Sequence, residues 1–173
     1  MNHPALLGGR DEAQAVSWSR KAAEQNFPPA LVFLAGLYSD GLAGLPQDQA
    51  LSRGLLEQAA ELGSARAWAF LSTIYKDGLG VPKDPRRGFE YLRRAAELGD
   101  VLSQYQLGSK LIEAATPAER REGVKWLQAA AQEQLSSAHR ALSRLYAIGE
   151  GGLSEDQKLS AFHRREAERL EQG

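Results

Sequence analysis

Apolar and polar positions along this chain follow a helical period and then start over. In Ala67–Tyr75, "AWAFLSTIY", the first, fifth, eighth and ninth places are small or apolar, the spacing of one helix face. The same frame, A-x-x-x-L-x-x-L-Y, starts at Ala30, Ala67, Ser103 and Ala138, in steps of 37, 36 and 35 residues. Leu34, Leu71, Leu107 and Leu142 fill its fifth place, and Tyr38, Tyr75 and Tyr146 its ninth, where the third copy has Leu111. A second stripe repeats the measure: the alanine pairs Ala22-Ala23, Ala59-Ala60, Ala95-Ala96 and Ala130-Ala131 are separated by the same 37, 36 and 35 residues. Two independent rulers with identical steps mark an internal repeat.

Punctuation between the stripes gives each repeat two helices. The first helix ends at Gly41, Gly78 and Gly149, the residue type suited to a left-handed cap. The second opens with Asp11, Asp48 or Asp84 as N-cap, with Pro85 in the first helical position. Thr116-Pro117-Ala118-Glu119 forms a capping box in the fourth copy, and Ser154 with Gln157 offers a similar box in the fifth. The second helix stops at Gly63 and Gly99, with Asn26 in that role in the first copy. No strand-like alternation occurs, so the expected fold is all-α. One such hairpin cannot bury its apolar face alone, whereas stacked hairpins share a continuous core.

Composition narrows the function more than the fold. The chain has 173 residues, 43% apolar and 25% charged, with net charge −1. This is an ordinary globular balance with no field to draw in nucleic acid or an anionic membrane. No apolar run is long enough to span a bilayer, so no membrane insertion is expected. The start, "MNHPALLGGRDEAQ", lacks a basic n-region and does not read as a secretory signal. Zero cysteines leave the compartment open: cytoplasmic, or periplasmic after removal of a signal peptide. "GLGVPKD" and "GEGGLSED" lack the Gly-Lys-Ser/Thr ending of a phosphate loop and serve as caps and turns. His3, His139 and His163 have no second ligand at metal spacing, and His139 is expected at the surface. No catalytic, cofactor or metal site is predicted, and the chain does not read as an enzyme.

Repeats of 35–37 residues reading "A…L…LY..G.GV..D…A…L..AAE.G", best copied in Ala67–Gly99, resemble the Sel-one-like repeat (SLR) family, a relative of the tetratricopeptide repeats. The resemblance implies a right-handed α/α superhelix of about four and a half helix-turn-helix units. The expected layout is a loop-like segment 1–10, units near 11–26, 30–63, 67–99, 103–134 and 138–153, and a C-terminal helix, 154–173, that completes and caps the array. His163 and Glu166 stand where the third unit has Leu92 and Ala95, which suits a water-facing end. The resemblance also implies a non-catalytic adaptor or scaffold that binds another protein on its concave face. The alternative is a bacterial immunity protein that tightly neutralises a cognate secreted toxin. Self-association through either end of the array is a further partner class, since Val16 and Trp18 leave the first helix apolar.

If these units are oriented as tetratricopeptide units are, the third, seventh and tenth places of each first helix face the groove. That selects Thr73, Lys76, Tyr105, Ser109, Arg140 and Arg144 as partner-binding residues, beside the small and apolar Val32, Gly36 and Ser39. Arg140 and Arg144 lie one turn apart with no acidic residue between Ala138 and Gly149, a pair suited to a partner's carboxylate. Tyr105 is a rigid amphipathic anchor. Trp68 is expected to pack between repeats.

Overall fold

The stripes fold as helices where the pattern places them. A computed structural model describes the backbone of residues 5–172 and the side chains of residues 12–172. Among the described residues there are nine helices and no strand: α1 (Ala5–Glu24), α2 (Pro28–Asp40), α3 (Gln49–Glu61), α4 (Ala65–Asp77), α5 (Pro85–Glu97), α6 (Val101–Ile112), α7 (Pro117–Gln132), α8 (Ser136–Ile148) and α9 (Gln157–Gln172). The chain divides after Leu98 into two compact units. In the first, α2 pairs with α3 and α4 with α5, while α1 rests on α2 and α3 on α4. In the second, α6 pairs with α7 and α8 with α9, and α7 rests on α8.

Each unit has its own core, built from the repeated places. Leu31, Leu56, Ala59, Ala67, Leu71 and Tyr75 are buried in the first; Leu127, Ala130, Ala138, Leu142 and Leu145 in the second. The alanines of both rulers from Ala30 onward are buried, Ala59, Ala67, Ala130 and Ala138 at 0% exposure, while Ala22 and Ala23 are only partly covered. A larger side chain there would hold two helix axes apart.

The hairpins cross on small residues. Ser72 donates its hydroxyl to the Gly88 carbonyl at 2.8 Å, and Ser143 donates to the Ser160 carbonyl at 2.9 Å. Between α6 and α7 the pair is Gly108 and Gly123, each so close that an added Cβ would stand 2.9 Å or less from the other's carbonyl oxygen. Ala35 and Ser52, both buried, hold these places in α2 and α3.

The turns repeat as well. Gly41, Gly78 and Gly149 cap α2, α4 and α8 in the left-handed conformation, with φ of 67°, 78° and 68°. Beyond them the chain doubles back so that a tyrosine carbonyl accepts the N–H of the next helix's capping aspartate. Asp48 reaches Tyr38 at 2.7 Å, Asp84 reaches Tyr75 at 2.7 Å and Asp156 reaches Tyr146 at 2.8 Å. The aspartate side chain then accepts from the first turn, as Asp48 does from Leu51 at 2.8 Å and Asp84 from Arg87 at 3.0 Å. The α6–α7 turn lacks this loop and relies on the Thr116/Glu119 capping box.

Two expected boundaries move. Helix α1 begins at Ala5, so residues 5–10 are helical and Asp11 is an interior residue, not an N-cap. The Gly8-Gly9 pair reads as loop, but two glycines cost a helix only about 1 kcal/mol each against alanine, too little to stop a run that starts in Ala-Leu-Leu. Residues 1–4, including His3, lie outside the described set, as does Gly173. At the other end Ser154 does not cap α9. Left-handed Gly151 and Gly152, φ 72° and 83°, carry the turn further, and Asp156 accepts from the N–H groups of Lys158 and Leu159 at 2.9 Å each.

Candidate protein-binding site

In the second unit, α6 and α8 each present one face to a shared open cavity of about 440 Å³. Helix α6 contributes Tyr105, Ser109 and Ile112, one turn apart, and α8 contributes Arg140, Arg144 and Ile148. Leu127 and Leu145 form the floor, and Glu113 and Glu150 line it as well. Four of the six residues expected to bind a partner thus share one cavity. Thr73 and Lys76 belong to the other unit. Thr73 lines a smaller cavity there and donates its hydroxyl to Ala69 at 3.4 Å; Lys76 is exposed and lies 3.7 Å from Asp77. Trp68 is half-buried, its ring 4.9 Å from Tyr91.

The two arginines differ in what they meet. Arg140 pairs with the Glu171 carboxylate, brought from α9, a partner that the acid-free stretch around Arg140 does not reveal. Arg144 has no ion pair with any described residue. It borders both the Tyr105 cavity and a second one of about 460 Å³ between α8 and α9, where Arg164 and Glu168 also lie. An exposed guanidinium beside a tyrosine and an apolar floor can take a carboxylate with two parallel hydrogen bonds, while an adjacent apolar side chain covers the floor.

Behind this face stands a histidine pair that sequence spacing did not join. His139, expected at the surface, is buried at 9% exposure. Its Nε2 lies 3.1 Å from the Ala131 carbonyl, and its Nδ1 lies 2.9 Å from Nδ1 of His163. With both rings neutral the tautomers follow: a carbonyl only accepts, so His139 donates from Nε2 and accepts at Nδ1 from His163. The His163 ring also stacks on Tyr146, with centroids 5.6 Å apart and planes 7° apart. Burial, and then the neighbouring His139, push the His163 pKa below the ordinary histidine value, with Glu166 pulling weakly the other way. The signal in the sequence was the mismatch itself: His163 sits in the place of the core residue Leu92, and such a place stays a packing place whatever fills it.

In the first unit the sequence reading passed over two phenylalanines. Phe33 and Phe70 occupy the same repeat place, 37 residues apart, and stand 47% and 44% exposed. Their recurrence at one register outside the motif is the clue that could have found them.

Among the described residues no three metal-binding side chains converge, and no helix is long and apolar enough to cross a membrane. The Sel1 repeat matches residues 6–27, 28–64, 65–100, 101–135 and 136–163. An uncharacterized protein of Neisseria meningitidis serogroup B is 30% identical over 158 residues, 91% of this chain and 32% of that protein. The crystal structure of a Sel1 repeat protein from Oxalobacter formigenes superposes with a TM-score of 0.80 at 28% identity, covering 91% of this chain and 64% of that one. An immunity protein from Pseudomonas aeruginosa gives a TM-score of 0.52 at 18% identity, over 99% of this chain and 84% of its own, a likeness of fold alone. The chain therefore spans about a third of the curated relative and under two thirds of the Oxalobacter protein. With matched repeats following one another from residue 6 to 163, this chain belongs to the Sel1 repeat family.

Proposed function

We propose that the protein is a non-catalytic adaptor that takes an acidic segment of a partner protein into the Tyr105–Arg144 cavity. Sel1 repeat proteins generally mediate protein–protein interaction. What supports this site within the class is that Tyr105, Ser109, Arg140 and Arg144, each on its own helix turn, open into one cavity. Arg144 supplies the uncommitted charge, Tyr105 the rigid contact surface, and Leu127 and Leu145 the apolar floor. Hydrogen bonds to a charged group contribute about 1.5–3 kcal/mol each when formed, so Arg144 is the residue on which recognition turns.

The test is selection of random displayed peptides on the purified protein, followed by titration of the selected sequences. Enrichment in Asp and Glu, lost in an Arg140→Glu/Arg144→Glu variant that melts like the parent, supports the reading. Peptides without acidic enrichment, or ones indifferent to the double reversal, refute it. The immunity-protein alternative separates on affinity. A cognate toxin would bind with Kd on the order of nanomolar or below, whereas a short acidic segment in an open cavity binds far more weakly.

A further inference from the structure

The first unit carries an apolar groove that the acidic-segment reading leaves unused. Helices α2 and α4 enclose two adjoining cavities of about 560 and 220 Å³. Val32, Gly36, Asp40 and Phe70 belong to both. The larger is walled by Phe33 and Leu42, the smaller by Ile74 and Leu79. Leu42 and Leu79 are about half exposed, at 52% and 50%. A surface built for water does not gather two phenylalanines, on α2 and α4, and two leucines, in the turns that follow them, around adjoining hollows.

Two details at the centre of the groove point to what fills it. Gly36 sits within α2, where glycine weakens a helix, and an added Cβ there would have nothing within 4 Å. Packing therefore does not require it, in contrast to Gly88, Gly108 and Gly123, where a Cβ would strike backbone at 2.9 Å or closer. The bare stretch of helix leaves room for an incoming side chain between Phe33 and Phe70. Asp40 is the second detail. It is exposed at the end of α2, shared by both cavities and paired with no described cation. Its counterpart one repeat on, Asp77, has Lys76 at 3.7 Å; the place before Asp40 is Ser39. A carboxylate at a helix C-terminus is on the unfavourable end of the helix dipole, so a cation from outside is favoured by the dipole and the carboxylate together. The one basic residue of the groove, Arg66, already lies over the Phe70 ring, 5.7 Å from its centroid.

We infer that the groove between α2 and α4 is a second docking surface, for a partner segment carrying a large apolar side chain next to a lysine or arginine. The apolar side chain lies over Gly36 between the two phenylalanine rings, and the basic residue meets Asp40. Its chemistry is opposite in charge to the Arg144 cavity and does not depend on that site.

The probe is a displayed library of random peptides, with enriched sequences titrated by fluorescence anisotropy against the full chain. The expected result is enrichment of Leu, Ile, Met or Phe beside Lys or Arg. Binding should fall at least ten-fold in Gly36→Leu and in Asp40→Lys, and remain in Arg144→Glu. Gly54→Leu is the control, since Gly54 also has open space around it but lies on α3, outside both cavities. Asp40→Lys changes an exposed residue and decides the matter if Gly36→Leu fails to fold. Three results overturn the inference: no apolar–basic enrichment, peptides that bind Gly36→Leu and Asp40→Lys as tightly as the parent, or a self-associated protein in sedimentation whose association Gly36→Leu abolishes, which would make a second copy the occupant.

Discussion

Glycine-to-alanine exchange should have opposite signs at two helical glycines of this chain. At Gly36 the new methyl group enters open space, so only helix propensity changes, and the protein gains about 0.5–1 kcal/mol. At Gly108 the same methyl lands 2.9 Å from the Gly123 carbonyl oxygen, 2.9 Å from Leu127 Cγ and 3.0 Å from the Leu127 nitrogen. Ordinary contact begins near 3.4 Å, so α6 and α7 must part by roughly half an ångström, disturbing well-packed Leu107, Leu111 and Leu127. Overpacking of that kind costs about 1–3 kcal/mol. Because both exchanges gain the same propensity, subtracting one from the other isolates the crossing. Gly108→Ala should be about 1–3 kcal/mol less stable than Gly36→Ala. At about 2–4 °C per kcal/mol for a chain of this size, the two should differ in melting temperature by roughly 2–12 °C. Thermal melts followed by far-ultraviolet circular dichroism read this directly. If Gly108→Ala melts as high as Gly36→Ala, the helices do not meet backbone to backbone at this point.

Other consequences are equally accessible. His163 is held below the ordinary histidine pKa, so the folded chain binds fewer protons there than the unfolded one; its contribution is complete above the unfolded value of about 6.5 and is lost as pH falls below it. Urea midpoints should drop between pH of about 7.5 and 5.5, and His163→Leu should flatten that slope. Asp84→Ala removes the side-chain cap on the Arg87 N–H but keeps the backbone bond to Tyr75, so the loss should be about 1 kcal/mol in chemical denaturation. Leu107→Ala, at a position with 0% exposure, should cost about 2–5 kcal/mol in the same assay.

The repeat architecture was legible because it is written in periodicity. The alanine pairs, the leucine of each frame and the glycine caps are dictated by local geometry, and all lie where the stripes place them. Asp48, Asp84 and Thr116 were likewise readable as N-caps, since capping is a matter of a few neighbouring residues. The geometry of the candidate site was half legible. Tyr105, Ser109, Arg140 and Arg144 share a cavity because repeat register decides which face each occupies. The partner of Arg140 was not, since Glu171 is 31 residues away on another helix. The His139–His163 pair, separated by 24 residues, needs the α8–α9 crossing to exist before either ring has a neighbour. Ser154 with Gln157 reads as a cap because a capping box is a local signal, whereas the bond from Asp156 to Tyr146 is set by the course of the whole turn.

The bond between a tyrosine carbonyl and the next aspartate N–H spans only nine or ten residues. A contact closed over so short a distance is local, and short-range closure is the quick kind. The turn can close early, while the apolar faces of its two helices are covered only once the neighbouring pairs are in place. It is also a portable part: gene duplication that copies a whole pair such as α4 with α5 carries the Tyr75–Asp84 closure with it, so an array can lengthen without a new turn.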